Sequence, residues 1–382
     1  MDESELEKLS IEYLKSYLSI NSYIGCTINC AYCFLAPIKI VPMKPIKVID
    51  EKKLVENTVT SKYFKKDITV LSLNNRTDPF ITSEVAESTY KILEELNNKG
   101  LKNIITVTTK GLITEEMANK LSKLNNIRLV IIVTFNGINQ RIQPISPEVQ
   151  KDTMKNIARY KNIKLLQQCR PIIKGINDSY ETLKDIVEFA SKYCDATIYQ
   201  GVRVNDVIKE RLKERQYNYT GKKDKHKVKD IEVDEIFKRI QKEHNGKYYI
   251  FDHTSCCLSY IFGEKDYNMH YKKRICSNEC PNYKMCMTKS NSKIKNENID
   301  IEFLKDMFIN DNMNITIKAK FKFWKFQNSI FILKENICEF EFDAYLVDEL
   351  NCMLFLEDEF VGIQFKELTI EEFKEIQNSK CL

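Results

Sequence analysis

Short apolar runs recur through the first 205 residues, and each is followed by a stretch whose apolar positions fall at helical spacing. The runs are ITVLSLNN at 68–75, NIITVTTK at 103–110, RLVIIVTF at 128–135, KLLQQCRPII at 164–173 and ATIYQGVRV at 196–204, with a further strand predicted at about 18–24. Helices are predicted at 50–64, 83–98, 114–124, 147–160 and 179–193. Thr82 or Ser83, Thr114, and Asp178 or Ser179 are the expected N-caps, because their side-chain oxygens accept from the open N–H groups of a first turn. Strand-then-helix repetition means a parallel sheet, and six such units with right-handed crossovers predict an α/β fold, a partial (β/α)6 barrel of the TIM type.

The pattern changes after residue 205. KERLKERQYNYTGKKDKHKVKD, at 209–230, reads as a charged surface excursion, followed by a helix at 231–244 and a short strand in KYYIFDH. A cysteine-rich field comes next, and then NITIKAKFKFWKF, SIFILKE, CEFEFDAYLV and CMLFLEDEF alternate at period two. That alternation predicts a small sheet of antiparallel strands, closed by a helix near 369–377. The expected organisation is a core barrel at 1–205, a segment completing or capping it at 206–255, a cysteine-rich auxiliary segment at 256–295 and a β-rich C-terminal α+β domain at 296–382.

Composition adds bounds. The 382 residues are 43% hydrophobic and carry a net charge of +5, enough for a large core and too little excess to demand nucleic acid. No apolar run reaches the ~18 residues of a membrane span, and MDESELEKLS is the opposite of a secretory n-region, so a cytoplasmic protein with no membrane partner is expected. Thirteen cysteines in a reducing compartment are read first as metal ligands where they cluster.

Three of them cluster in YIGCTINCAYCFL at 23–35: Cys26, Cys30 and Cys33, spaced C-x3-C-x2-C. Thiolates select zinc, copper(I) or iron-sulfur clusters. Structural zinc wants a fourth ligand, yet the next cysteine is Cys169 and every histidine lies at 226 or later. Three ligands on a four-iron cluster leave one iron open for something else to bind.

This spacing, the aromatic Tyr32 within it and its place after a first barrel strand resemble the signature of the radical S-adenosylmethionine (SAM) superfamily. The resemblance implies a 4Fe-4S cluster on Cys26, Cys30 and Cys33 as the catalytic centre, with SAM chelating the open iron. It implies reductive cleavage of SAM to a 5'-deoxyadenosyl radical that abstracts hydrogen from a substrate, and an electron donor such as flavodoxin or ferredoxin. LSLNNRTDPF, TVTTKGLIT, VIIVTFNG and CRPIIKGIND, in order, resemble strand ends of the spore photoproduct lyase-like branch over about residues 20–205. Carried over, Tyr32, Asn74, Thr77, Asp78, Lys110, Thr134 and Asn136 are expected SAM contacts, with Lys110 on the SAM carboxylate. Asn74 to Pro79 also reads as a turn signal, and Gly175 and Asn177 as a turn into the next helix. The lyases of that branch carry a hydrogen-donor cysteine on the second barrel strand; TVLSLNNRTDP has none, which argues against photoproduct lyase activity here. Cys169 and Cys194 are expected in the core.

Cys276, Cys280 and Cys286, spaced C-x3-C-x5-C, resemble the SPASM or twitch auxiliary regions that follow radical SAM barrels. With Cys256 or Cys257 they make four thiolates for a second 4Fe-4S cluster, or for zinc; His253 and His270 are minor alternatives. In KAKFKFWKF, Lys318, Lys320, Lys322 and Lys325 interleave with aromatic residues, which fits either base stacking or a half-buried strand, the latter favoured. The substrate is left open between a peptide, a small molecule and nucleic acid. The contrasting reading is a non-catalytic iron-sulfur or zinc protein.

Overall fold

The structure is a computed structural model that describes residues 3–14, 17–61, 64, 66–220, 231–267, 279–287, 321–326, 329–334, 353–356 and 366–368. It divides into two compact units, Met1–Glu12 with Tyr17–Glu264, and Tyr13–Ser16 with Lys265–Leu382.

β1 (Ile11–Leu14) straddles the division at Glu12; the other strands of the first unit are β2 (Tyr17–Ile20), β3 (Tyr23–Ile24), β4 (Ile46–Lys47), β5 (Leu71–Leu73), β6 (Ile104–Thr109), β7 (Arg128–Thr134), β8 (Lys164–Ile172), β9 (Ala196–Gly201) and β10 (Ile250–Phe251). The helices are α1 (Glu3–Glu7), α2 (Glu51–Thr60), α3 (Ser83–Asn98), α4 (Glu115–Leu121), α5 (Pro147–Ile157), α6 (Tyr180–Ala190), α7 (Asp206–Glu214), α8 (Ile231–Glu243) and α9 (Thr254–Phe262). An eight-stranded sheet runs β1-β2-β5-β6-β7-β8-β9-β10, and every pairing from β2 to β10 is parallel. The expected strand-helix alternation is therefore present, with its strands in sequence order. Thr82, Thr114 and Ser179 are the N-caps, accepting from Val85, Met117 and Thr182 N–H at 3.3, 3.2 and 3.2 Å.

Register separates the two faces. Gln167 and Tyr199 lie toward the helices: Gln167 Nε2 donates to the Ile186 carbonyl of α6 at 3.3 Å, and Tyr199 stacks on Phe237 of α8 with centroids 4.1 Å apart. The opposite face carries Ser19, Ser72, Thr106, Thr134 and Gln168, an unusually polar set for a central sheet. The sheet is open, with β1 and β10 at its two edges.

Two expectations are corrected in this part of the chain. The strand predicted at 18–24 is broken: β2 stops at Ile20, Asn21 turns inward to donate to the Leu9 carbonyl (2.8 Å) and Ser19 Oγ (3.0 Å), and β3 pairs antiparallel with β4 instead. The excursion predicted at 209–230 begins inside a helix, α7. Asn205 caps it by accepting from Ile208 N–H at 2.9 Å, and Ile208 and Leu212, four residues apart, are buried against Ala31, Ala36 and Ile142. Its charges hid a narrow apolar stripe.

The second unit contains α10 (Tyr283–Met287) and a four-stranded sheet of β11 (Phe321–Phe326), β12 (Ser329–Lys334), β13 (Met353–Leu356) and β14 (Lys366–Leu368), in the order β13-β12-β11-β14. β11 pairs antiparallel with β12 and β14 as expected, but β12 and β13 are parallel. The chain between Lys334 and Met353 is long enough for the crossover that parallel pairing needs. Lys318 and Lys320, and the helix expected near 369–377, lie outside the described residues.

Candidate active site

The cysteine loop leaves β3 at Gly25, whose φ of +107° suits glycine and whose Cβ, were there one, would meet the Lys44 carbonyl at 2.9 Å. Gly25 N–H donates to the Arg76 carbonyl at 3.0 Å, anchoring the loop to the end of β5. Cys26 is held by backbone bonds to Ile40 and Met43, both 3.3 Å, and Ala31 N–H donates to the Ile142 carbonyl at 2.9 Å. Ile24, Ile28, Leu35, Ile40 and Val41 pack beneath the thiols. From α7, Arg211 reaches over: Nη2 donates to Asn29 Oδ1 at 2.7 Å and to the Cys30 carbonyl at 3.0 Å, and Nε to the Ala31 carbonyl at 3.4 Å.

Burial pushes the Cys26 thiol up to about 12, with the Asp78 charge adding to it. Burial likewise raises Cys30, while the Lys110 ammonium opposes it. Lys110 itself is pulled down by burial, but the charges of Cys30, Asp78, Cys33 and Cys26 outweigh that and raise it. All three sulfurs therefore act on one ammonium. Its Nζ lies 6.0 Å from the centroid of the Tyr32 ring. Among the described residues no three His, Cys, Asp or Glu side chains are gathered closely enough to hold a single metal ion.

The other expected site residues fall into two groups. Asn74, Asp78 and Asn136 are buried with their polar atoms engaged inside the protein. Asn74 accepts from Ser22 N–H (2.9 Å) and donates to Thr89 Oγ1 (2.8 Å); Asp78 accepts from Thr109 Oγ1 and Lys110 N–H, both at 2.7 Å, and from Phe80 N–H at 3.1 Å. Asn136 donates to the Arg170 carbonyl (2.9 Å) and to Gln143 Oε1 (3.4 Å), and accepts from Ile138 N–H (3.2 Å). Thr134 Oγ1 donates to Gln168 Oε1 at 3.2 Å. Thr77 differs: its hydroxyl is buried with no hydrogen-bond partner among the described residues. Tyr32 donates to Gln143, a residue sequence reasoning missed, and burial raises its phenol well above the ordinary value. Arg211 was also missed, since nothing in the sequence links it to a loop 180 residues earlier. Asn177 donates to the Asn136 carbonyl (2.7 Å) and the Pro171 carbonyl (3.0 Å), which is the turn role.

Cys169 and Cys194 are buried, with thiols raised by burial, as core residues. Cys257 is fully buried in α9, where burial and then the Asp195 and Cys194 charges raise its thiol; Cys256 is half-buried in the same helix. In the second unit Cys280 is half-buried and Cys286 is buried within α10, while Cys276 and His270 lie outside the described residues.

No protein-family model matches the chain, and no curated protein matches it in sequence. Among solved structures it is similar to spore photoproduct lyase complexed with dinucleoside spore photoproduct, at TM-score 0.50 and 13% identity over 61% of this chain and 76% of that one. A variant of that lyase with bound AdoMet and dinucleoside spore photoproduct gives TM-score 0.48 and 12% identity over 61% and 75%. The native anSMEcpe enzyme with bound AdoMet gives 0.40 and 14% over 64% and 66%. The chain thus shares the fold of spore photoproduct lyase over that region. No helix among the described residues is long and apolar enough to cross a membrane.

Proposed function

We propose that the chain is a radical SAM enzyme, and the observation that carries the reading is the position of the Lys110 ammonium against the three-cysteine loop, 6.0 Å from the centre of the ring of Tyr32, which stands between Cys30 and Cys33. Cys26, Cys30 and Cys33 would hold a 4Fe-4S cluster; when bound, cluster and SAM together supply a 5'-deoxyadenosyl radical able to take hydrogen from a substrate. The donor set fits. Structural zinc wants four ligands in a closed shell, whereas three thiols from one loop match a four-iron cluster with one iron left open. Lys110, with no carboxylate in ion-pair distance among the described residues, is available to the SAM carboxylate. The unpartnered Thr77 hydroxyl is a second group a bound cofactor would satisfy. Asn74, Asp78 and Asn136 act as positioning residues, tying the ends of β2, β5, β6, β7 and β8 to one another. The second cysteine field is proposed to hold a further cluster, a reading supported by its count and spacing in the sequence.

Anaerobic reconstitution with iron counting tests this, alongside assay of 5'-deoxyadenosine release from SAM under a chemical reductant. The wild type is expected to hold about eight irons, falling to about four in Cys30→Ala and in Cys280→Ala. Cys30→Ala is expected to abolish SAM cleavage and Cys280→Ala to leave it. Zinc in place of iron, or SAM cleavage surviving in Cys30→Ala, overturns the reading.

A further inference from the structure

The stretch from Cys30 to Tyr32 is held from two sides. Arg211 takes the carbonyls of Cys30 and Ala31, at 3.0 and 3.4 Å. The turn after β7 takes the rest: Ala31 N–H donates to the Ile142 carbonyl at 2.9 Å, and the Tyr32 hydroxyl donates to Gln143 Oε1. Two consecutive residues of the cysteine loop therefore meet two consecutive residues of the turn. The turn is built to keep its shape. The Asn139 carbonyl accepts from Ile142 and Gln143 N–H at 3.1 and 3.0 Å, and Asn139 Oδ1 accepts from Arg141 and Ile142 N–H at 3.1 and 3.3 Å. Ala31 and Ile142 are buried in one apolar cluster, with Tyr32 packed against it.

Gln143 is 1% exposed, and its neighbours fix which way its amide faces. Asn136 Nδ2 donates to Gln143 Oε1 at 3.4 Å and to the Arg170 carbonyl at 2.9 Å, while Asn136 Oδ1 accepts from Ile138 N–H at 3.2 Å. Asn136 is thus committed as a donor on this side, and an inverted Gln143 would set its NH2 group against that donor. Gln143 presents an oxygen, so the Tyr32 hydroxyl is the donor in their bond.

The direction of that O–H matters because of where Tyr32 stands. It lies between Cys30 and Cys33, and the Cys30 sulfur is the other acceptor beside its hydroxyl. Hydrogen bonds to the sulfurs of an iron-sulfur cluster tune its reduction potential, and a donated O–H raises it by stabilising the added electron. Reducing a sulfonium takes a strongly reducing donor. We propose that Gln143 is a positioning residue that draws the Tyr32 O–H away from Cys30 and so keeps the proposed N-terminal cluster strongly reducing. The tuning role rests on the radical SAM reading; the bond between Tyr32 and Gln143 does not.

Thermal unfolding of the metal-free protein tests the bond, through Tyr32→Phe, Gln143→Met and the double variant. Each single change is expected to lower Tm, and the double variant to fall no further than Gln143→Met alone. Additive losses overturn the contact. Redox titration of the reconstituted protein, followed by electron paramagnetic resonance, tests the tuning. Gln143→Met, and Gln143→Asn with its amide one methylene shorter, are expected to move the potential to less negative values with iron content unchanged. 5'-Deoxyadenosine release is expected to slow about tenfold in both. Tyr32→Phe removes the O–H, so adding Gln143→Met to it is expected to move the potential no further. An unmoved potential in both Gln143 variants overturns the proposal, as does the same rise in the Tyr32→Phe background. Loss of iron in both variants also overturns it, by leaving Gln143 a role in assembly alone. Zinc in the wild type overturns the radical SAM reading and the tuning with it, while the metal-free cycle still decides the bond.

Discussion

Asp78 grips Lys110 by its backbone and leaves the ammonium unpaired: Oδ2 accepts from the Lys110 N–H at 2.7 Å, while Nζ lies 6.0 Å from the centre of the Tyr32 ring. The carboxylate sets where the lysine departs from β6, and its second oxygen locks Thr109 beside it. Gly111 closes the turn, where a Cβ would meet the Phe80 carbonyl at 2.8 Å.

Asp78→Asn presents an amide where two N–H donors and a hydroxyl now point at a carboxylate, so the end of β6 shifts. SAM affinity measured by equilibrium dialysis is expected to fall about tenfold with iron content unchanged. Lys110→Met is expected to lose as much or more, and Lys110→Arg to recover only part of it. Wild-type SAM affinity in Lys110→Met would remove the lysine from the site.

Arg211 ties α7 to the cysteine loop through three bonds to Asn29, Cys30 and Ala31. Cluster potentials respond to nearby charge and hydrogen bonding. Arg211→Met is therefore expected to make the proposed N-terminal cluster harder to reduce, and Arg211→Lys to restore the potential more than the iron content. Redox titration followed by electron paramagnetic resonance reads the first, and iron analysis the second. A potential that does not move in Arg211→Met leaves the residue with a structural role alone.

Gly25 and Gly100 make a matched pair for backbone strain. Both have positive φ, +107° and +63°, but only at Gly25 would a Cβ strike backbone, the Lys44 carbonyl at 2.9 Å; nothing lies within 4 Å of Gly100. Gly100→Ala is expected to cost about 1 kcal/mol and Gly25→Ala about 2–3 kcal/mol in thermal unfolding. Only Gly25→Ala should weaken iron loading. Equal losses would mean that the contact with Lys44 contributes nothing.

Glu243, at the end of α8, accepts from Tyr180 Oη at 2.5 Å, Lys184 Nζ at 2.9 Å and Arg239 Nε at 3.3 Å. These partners, Tyr180 foremost, hold its carboxyl at about 2. Its folded value lies below its unfolded one, so the stability it contributes is present above the ordinary carboxylate value near 4.5 and is lost as pH falls from there toward about 2. Glu243→Gln is expected to flatten that acid limb, followed by circular dichroism. The effect should be small, since the group is exposed to solvent, and an unaltered acid limb would show that these contacts contribute no stability.

What sequence made legible was what lies close together along the chain. Cys26, Cys30 and Cys33 fall within eight residues, and Thr82, Thr114 and Ser179 stand directly before the helices they cap. The strand-helix alternation predicted the parallel sheet because each buried strand is a local apolar run. What it did not make legible depends on contacts between distant segments. Gln143 and Arg211 carry no local signal, and Asn74 and Asn136, expected as SAM contacts, show their bonds between strand ends only once their partners are seen. The same holds for β13, whose alternation says strand but not which direction its neighbour runs.

The bonds from Arg211 to the Asn29–Ala31 turn join residues some 180 positions apart, beyond the last long strand of the sheet. A nascent chain on the ribosome that has emerged only through Gly201 has every strand through β9 and all three N-terminal thiols, but no brace across them. Translation of α7 is thus the event that completes the frame around this loop, and in the proposed reading a cluster inserted earlier would meet a loop without that tie.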